Sequence, residues 1–150
     1  MNRTVSLILF LVLVLGGGLV LGLLTAPGEW FAGLAKPSFN PPAWLFGPVW
    51  TVLYILIATA GWRVWQRNRT SWPMKLWWVQ LPVNFLWTPV FFGAHQIGLA
   101  LVLILLLLAA ILGFIAAAWR LDRVAAWLFA PYAAWVAFAS ALNGSIWALN

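Results

Sequence analysis

A chain of 150 residues that is 65% hydrophobic and 7% charged carries too little polar surface for a water-soluble domain, which averages roughly 45–50% apolar and about 25% charged residues. Its net charge of +6 comes from only eight Lys and Arg, placed at the ends of apolar runs, where basic residues orient a protein in a membrane; the pattern argues against nucleic-acid binding. It has no cysteine, and Glu29 and Asp122 are its only acids, which excludes disulfides, thiolate catalysis, iron–sulfur clusters, carboxylate-rich metal sites and paired-carboxylate catalysis.

Five segments reach the roughly 20 apolar residues a helix needs to cross the hydrocarbon core: 5–25, 44–64, 74–92, 97–119 and 124–149. The runs are continuous rather than alternating with period two, so they predict helices and not a barrel. The expected fold is all-α, a polytopic membrane bundle of five transmembrane helices forming one domain over 1–150. The first run exceeds the apolar core of a signal peptide, and "LLTAPGEW" offers no small-x-small cleavage site, so it reads as a retained helix. Within it, Gly18-x-x-x-Gly22 permits close helix approach, either in a dimer or within one chain.

The stretch 26–43 is the one long connection. Pro37, Pro41 and Pro42 lock φ and lack N–H donors, which predicts a stiff loop without helix or sheet. In the second run, Pro48 falls near the first turn, where proline is tolerated, and Trp50, Tyr54 and Gly61 share a face. Trp62, Trp65, Trp72, Trp77, Trp78, Trp119 and Trp127 are expected at the membrane interfaces. The remaining tryptophans, Trp30, Trp44, Trp50, Trp87, Trp135 and Trp147, are candidates for a pocket, Trp44 sitting at the interface.

Polar residues inside apolar helices are the informative ones. In the third run Gln80, Asn84, Trp87 and Phe91 recur on one helical face. Pro82 and Pro89 would open room beside it. The two amides join helices, touch a ligand, or do both. The link "GAHQ" is short, so the third and fourth helices are antiparallel neighbours. His95, the only histidine, reads as a solvated loop residue. In the fifth run Trp135, Ala139, Asn143 and Trp147 form a stripe among small residues, giving a flat wall with a shallow recess.

Three stretches together, "KPSFNPPAWLFGPVWTVLY" at 36–54, "QLPVNFLWTPVFFG" at 80–93 and "PYAAWVAFASALNGSIWALN" at 131–150, resemble the tryptophan-rich sensory protein / translocator protein family (TspO/MBR, the peripheral benzodiazepine receptor type), and the likeness covers essentially the whole chain. The resemblance implies a homodimeric five-helix protein that binds tetrapyrroles such as protoporphyrin IX or haem. Some members take benzodiazepine-type ligands or cholesterol, and the family has been linked to tetrapyrrole transport, sensing and breakdown. It also implies a pocket under the first loop, lined by Trp50, Asn84, Trp87, Trp135, Ala139 and Asn143; Tyr54 and Phe91 join it from the faces described above. Trp30, Pro41, Pro42 and Trp44 would form the lid. No Lys or Arg follows Tyr132, so the C-terminal sterol-recognition pattern of animal members is missing, and the chain looks like a bacterial, inner-membrane member.

The residues suit such a ligand. Flat aromatic walls stack on a flat macrocycle, and indole and amide N–H groups can meet its carboxylates. No His, Cys or Met is placed to hold a permanent haem, so no tightly bound cofactor or metal is expected. No ionisable residue stands at membrane depth for proton-driven transport. No nucleophile–base pair argues for an enzyme; the one chemical route is light- and oxygen-dependent porphyrin breakdown with Trp50 and Trp135 taking part. The competing reading is a structural or regulatory membrane protein that accommodates lipid or sterol. Every Lys and Arg except Lys36 falls on the side of the N-terminus, so the expected topology has the N-terminus cytoplasmic and the C-terminus outside. A reporter fused after Asn150 should then be active only outside the cytoplasm; cytoplasmic activity alone would reverse the orientation.

Overall fold

The computed structural model describes residues 2–150, and among them there is no strand. Helix α1 (Arg3–Leu24) begins at Asn2, whose side chain accepts a hydrogen bond from the Val5 N–H at 2.7 Å, and it contains a π-helical turn at Val12–Gly16. A short helix α2 (Glu29–Ala32) precedes α3 (Ala43–Arg67), which opens with a 3-10 turn directly after Pro42. Ser71 caps α4 (Trp72–Thr88), and proline occupies its first turn, where a missing N–H costs nothing. A π-helical turn, Pro89–Gly93, extends α4. The last two helices are α5 (Ile97–Leu121) and α6 (Arg123–Leu149), the latter interrupted by a turn at Phe129.

Four of these, α1, α3, α5 and α6, are long and apolar enough to cross a membrane. The α-helical part of α4 has 17 residues; at about 1.5 Å per residue it falls short of a core about 30 Å thick, and a π-helical turn follows it. Around the bundle the order is α1, α3, α6, α5, α4 and back to α1. As expected from the short link, α4 and α5 are neighbours, and theirs is the most extensive pairing.

The two ends close differently. At one end the Trp62 indole N–H donates to the Arg3 carbonyl and to Ser6 Oγ, both at 3.0 Å. Arg63 forms a two-point pair with Asp122, at 3.0 and 3.2 Å. Asp122 is buried and also caps α6 by accepting from the N–H groups of Val124 and Ala125, so one carboxylate joins α3 to the α5–α6 corner. Here Arg3, Arg69, Lys75 and Arg123 lie over Trp62, Trp65, Trp72 and Trp119, the arrangement expected of interfacial tryptophans. The opposite end holds the 26–43 stretch.

Three expectations change. The 26–43 stretch is not free of helix, because α2 lies inside it; Glu29 stands in the first turn, where a carboxylate favours the helix dipole, and Trp30 and Phe31 fold onto Phe91. Trp77 is not interfacial. It is fully buried, its N–H donates to the Ile57 carbonyl at 2.9 Å, and its ring fills the hollow left by Gly61. Its neighbour Trp78 is exposed, since consecutive helical residues face about 100° apart. Gly18 and Gly22 do not act together: Gly18 lies against the Tyr54 ring, while nothing approaches Gly22.

Any Cβ at position 61 would collide with the Trp77 ring, and overpacking of this kind costs about 1–3 kcal/mol. Gly61→Ala should therefore lower the thermal midpoint of the purified protein by several degrees, whereas Gly22→Ala should not; equal midpoints for Gly61→Ala and wild type would show that the α3–α4 contact can relax.

An aromatic pocket between the helices

Between α2, α3, α4 and α6 lies a cavity lined by Phe31, Phe46, Trp50, Trp87, Phe91, Phe92, Trp135, Ala139, Leu142, Asn143 and Ile146. Its walls come from helical periodicity. Trp135, Ala139 and Asn143 recur every fourth residue on α6, and Trp87 and Phe91 do so across the end of α4, so each set presents one face. Small Ala139 sits between Trp135 and Asn143 and forms the recess between them.

Polar bonds hold these walls in register. The Trp87 N–H donates to Asn143 Oδ1 at 3.0 Å, and Asn143 Nδ2 donates to the Ile97 carbonyl at the start of α5, also at 3.0 Å. One amide thus joins α4, α5 and α6. Beside the pocket, Asn84 Nδ2 donates to the Tyr132 hydroxyl at 2.6 Å, and that hydroxyl donates to Gln80 Oε1 at 2.8 Å. All three residues are buried. Tyr132 packs edge-on to Trp50, which in turn packs against Tyr54.

Of the residues expected to bind ligand, Trp50, Trp87, Phe91, Trp135, Ala139 and Asn143 share one cavity. Asn84 and Tyr54 do not line it. Asn84 is committed to Tyr132, and Tyr54 fills the space above Gly18. The amides of α4 join helices through the Tyr132 hydroxyl. Trp147 also leaves the pocket set: it is 57% exposed, and its ring lies beside Gly98 on α5. Trp44, 72% exposed, stands at the surface as expected. Phe31, Phe46, Phe92, Leu142 and Ile146 are lining residues that sequence reasoning missed, as it missed the Tyr132 hydroxyl.

Above the cavity, Trp30 stacks face to face on His95 at 4.0 Å between centroids. His95 adopts a left-handed backbone, φ 58°, which turns the "GAHQ" link. It is exposed as expected, and it carries a contact no sequence signal announced. Lys36 Nζ donates to the Ala32 and Leu34 carbonyls and lies over Phe31. Ala35 exchanges two hydrogen bonds with the Asn150 side chain, at 3.1 and 2.8 Å. The loop is thereby pinned across the mouth. Pro41 and Pro42 lead from it into α3.

No charged side chain lines the cavity, and no cluster of His, Asp or Glu able to hold a metal occurs among the described residues. The lining offers stacking surfaces, a buried and unpartnered indole N–H at Trp135 and the Asn143 amide. In chemistry, though not in its closed volume, the lining suits a flat, largely apolar molecule oriented by a few hydrogen bonds.

An all-helical membrane bundle with an aromatic interior pocket closed by a loop is thus the class defined by fold and site. Residues 9–148 match the model of the TspO/MBR family. Relatives include the protein named tryptophan-rich sensory protein of Cereibacter sphaeroides, 36% identical over 150 residues, covering 100% of this chain and 95% of that one. The human translocator protein is 40% identical over 127 residues, covering 81% of this chain and 75% of that one. Protein CrtK of Rhodobacter capsulatus is 38% identical over 133 residues, covering 86% and 83%. The chain belongs to the TspO/MBR family and is an integral membrane protein.

Removing the Tyr132 hydroxyl leaves both the Asn84 and the Gln80 amides without their partner, and each unsatisfied buried group costs about 1–3 kcal/mol. Tyr132→Phe should lower thermal stability by at least about 2 kcal/mol and weaken ligand binding indirectly. A Tyr132→Phe protein as stable as wild type would show that the amides find other partners.

Proposed function

We propose that this protein binds tetrapyrroles such as protoporphyrin IX or haem in the aromatic pocket and acts as a sensor or carrier in a bacterial inner membrane. The supporting observation is the lining itself: Trp50, Trp87, Trp135 and four phenylalanines surround one cavity whose only polar groups are indole and amide. These rings match a planar macrocycle by stacking. Lys36 on the lid, already turned toward backbone carbonyls, is the cation available to a propionate at the mouth.

In this reading α4, lengthened by its π turn, crosses the membrane as the fifth span. The basic end faces the cytoplasm and the lid faces outward. The exposed flank of α1 around Gly16, where nothing crowds the backbone, serves a homodimer. Light- and oxygen-dependent breakdown of bound porphyrin belongs to the same proposal, with Trp50 and Trp135 on the pocket wall beside the ring.

Titrating protoporphyrin IX into the purified protein in the dark, while following tryptophan fluorescence, tests the reading. Saturable quenching is expected, with Trp50→Ala weakening it at least tenfold. Non-saturable quenching indifferent to Trp50→Ala would favour a protein that merely accommodates lipid or sterol. Under illumination, product yields unchanged in Trp50→Phe and Trp135→Phe would remove those side chains from the photochemistry.

A further inference from the structure

We propose that ligand enters the pocket sideways from the bilayer, through a groove between α3 and α6, and that the Trp135 indole is the gate. The inference rests on the ligand-binding reading above and adds its route. The interior cavity measures about 20 Å³, room for about one water molecule, whereas sites for small organic ligands span roughly 300–1,000 Å³. The pocket is therefore closed, and some part of its wall moves when a ligand is bound.

Trp135 is that part. It belongs to two linings at once: the interior pocket on one side, and on the other an outward groove of about 570 Å³ bounded by Pro48, Val52, Leu53, Pro131, Ala134 and Phe138. The groove exists because α3 and α6 diverge. They pack closely along Arg123–Leu128 and more sparsely along the rest of α6; Ala125 and Ala126 are buried in the close section, and the Arg63–Asp122 pair holds that end. Beyond it, small Ala134 and the compact proline rings leave the space unfilled. Val52 is 56% exposed, so the groove opens toward the acyl chains.

The way each wall is tied singles out Trp135. Its N–H is buried and has no acceptor, and its ring packs edge-on to Phe46 and tilted against Phe138. Turning it breaks no hydrogen bond. Trp87 is bonded to Asn143, and the lid is held by the Trp30–His95 stack and two Asn150 bonds. Rotation of the Trp135 indole into the groove joins the two spaces into one cleft open to the membrane interior. A flat apolar ligand dissolved in the lipid slides in there, and its acceptor oxygens give the indole N–H a partner it lacks in the closed state.

The experiment uses the full chain in phosphatidylcholine nanodiscs, with protoporphyrin IX delivered from phosphatidylcholine vesicles and association followed by tryptophan quenching in the dark. Ala134→Trp and Val52→Trp fill the groove at exposed positions, and Val102→Trp, exposed on α5, controls for an added surface indole. The groove variants should associate at least tenfold more slowly and bind more weakly, with graded slowing through Ala134→Val and Ala134→Leu; Val102→Trp should match wild type. Asn150→Ala, which removes the two bonds from Ala35 to the C-terminus and so loosens the lid, should leave the association rate within twofold. Saturable wild-type binding with groove variants at the wild-type rate overturns the gate and leaves the pocket reading intact. A wild type without saturable binding overturns both.

Discussion

The Tyr132 hydroxyl, buried between two amides, is the interaction on which the interior depends. Inside a bilayer, apolar surface gains little by leaving lipid for protein, so helix contacts are decided by close packing and by polar groups that need partners. Tyr132 on α6 receives a bond from Asn84 and gives one to Gln80, both on α4. These bonds fix the rotation of α4 about its axis. Once Gln80 and Asn84 face inward, Trp87 and Phe91 must follow on the same face. Trp87 then reaches Asn143, and Asn143 reaches the first turn of α5. The pocket wall is thus the continuation of a buried polar ladder.

A second consequence concerns the two ends. The basic end is tied by Arg63–Asp122, by Trp62 to α1 and by buried Trp77 against Gly61. Side chains here are mutually committed. At the other end α3 and α6 spread apart, α4 loosens into a π turn after Thr88, and a proline-rich loop covers the opening. π turns are frequent at functional sites, and this one places Phe91 and Phe92 against α2. Rigidity at one end and spacing at the other follow from where the small residues and prolines stand.

What could be read in the sequence divides along the same physical lines. Long apolar runs announce helices because the bilayer demands length, and an amide in such a run announces an inward face because lipid penalises it. Hence Trp50, Trp87, Phe91, Trp135, Ala139 and Asn143 converge as expected. Phenylalanine carries no such signal in a chain this apolar, so Phe31, Phe46 and Phe92 were not distinguishable from lipid-facing residues. Trp77 and Trp78 are adjacent and alike, and only a tertiary contact, the hollow over Gly61, decides which one turns inward. Asp122 looks like an ordinary loop acid until Arg63, 59 residues earlier, folds against it. Asn84 and Tyr54 face inward as their spacing implies, but meet protein partners rather than lining the cavity.

Two buried donors remain without acceptors, Trp135 Nε1 on the pocket wall and Gln80 Nε2 at the end of the Tyr132 ladder, outside the cavity lining. In water such groups would be solvated; in a membrane interior an unpaired donor is costly. The Trp135 donor lies on the cavity wall, so the closed pocket leaves it unsatisfied. A guest with acceptor atoms relieves that penalty when it binds, so part of its affinity comes from satisfying the protein as well as from stacking. An apolar guest without acceptors receives only the stacking. Under the tetrapyrrole-binding reading proposed above, the Trp135 N–H favours a macrocycle bearing acceptor oxygens over an equally flat hydrocarbon, beside the Lys36 cation at the mouth.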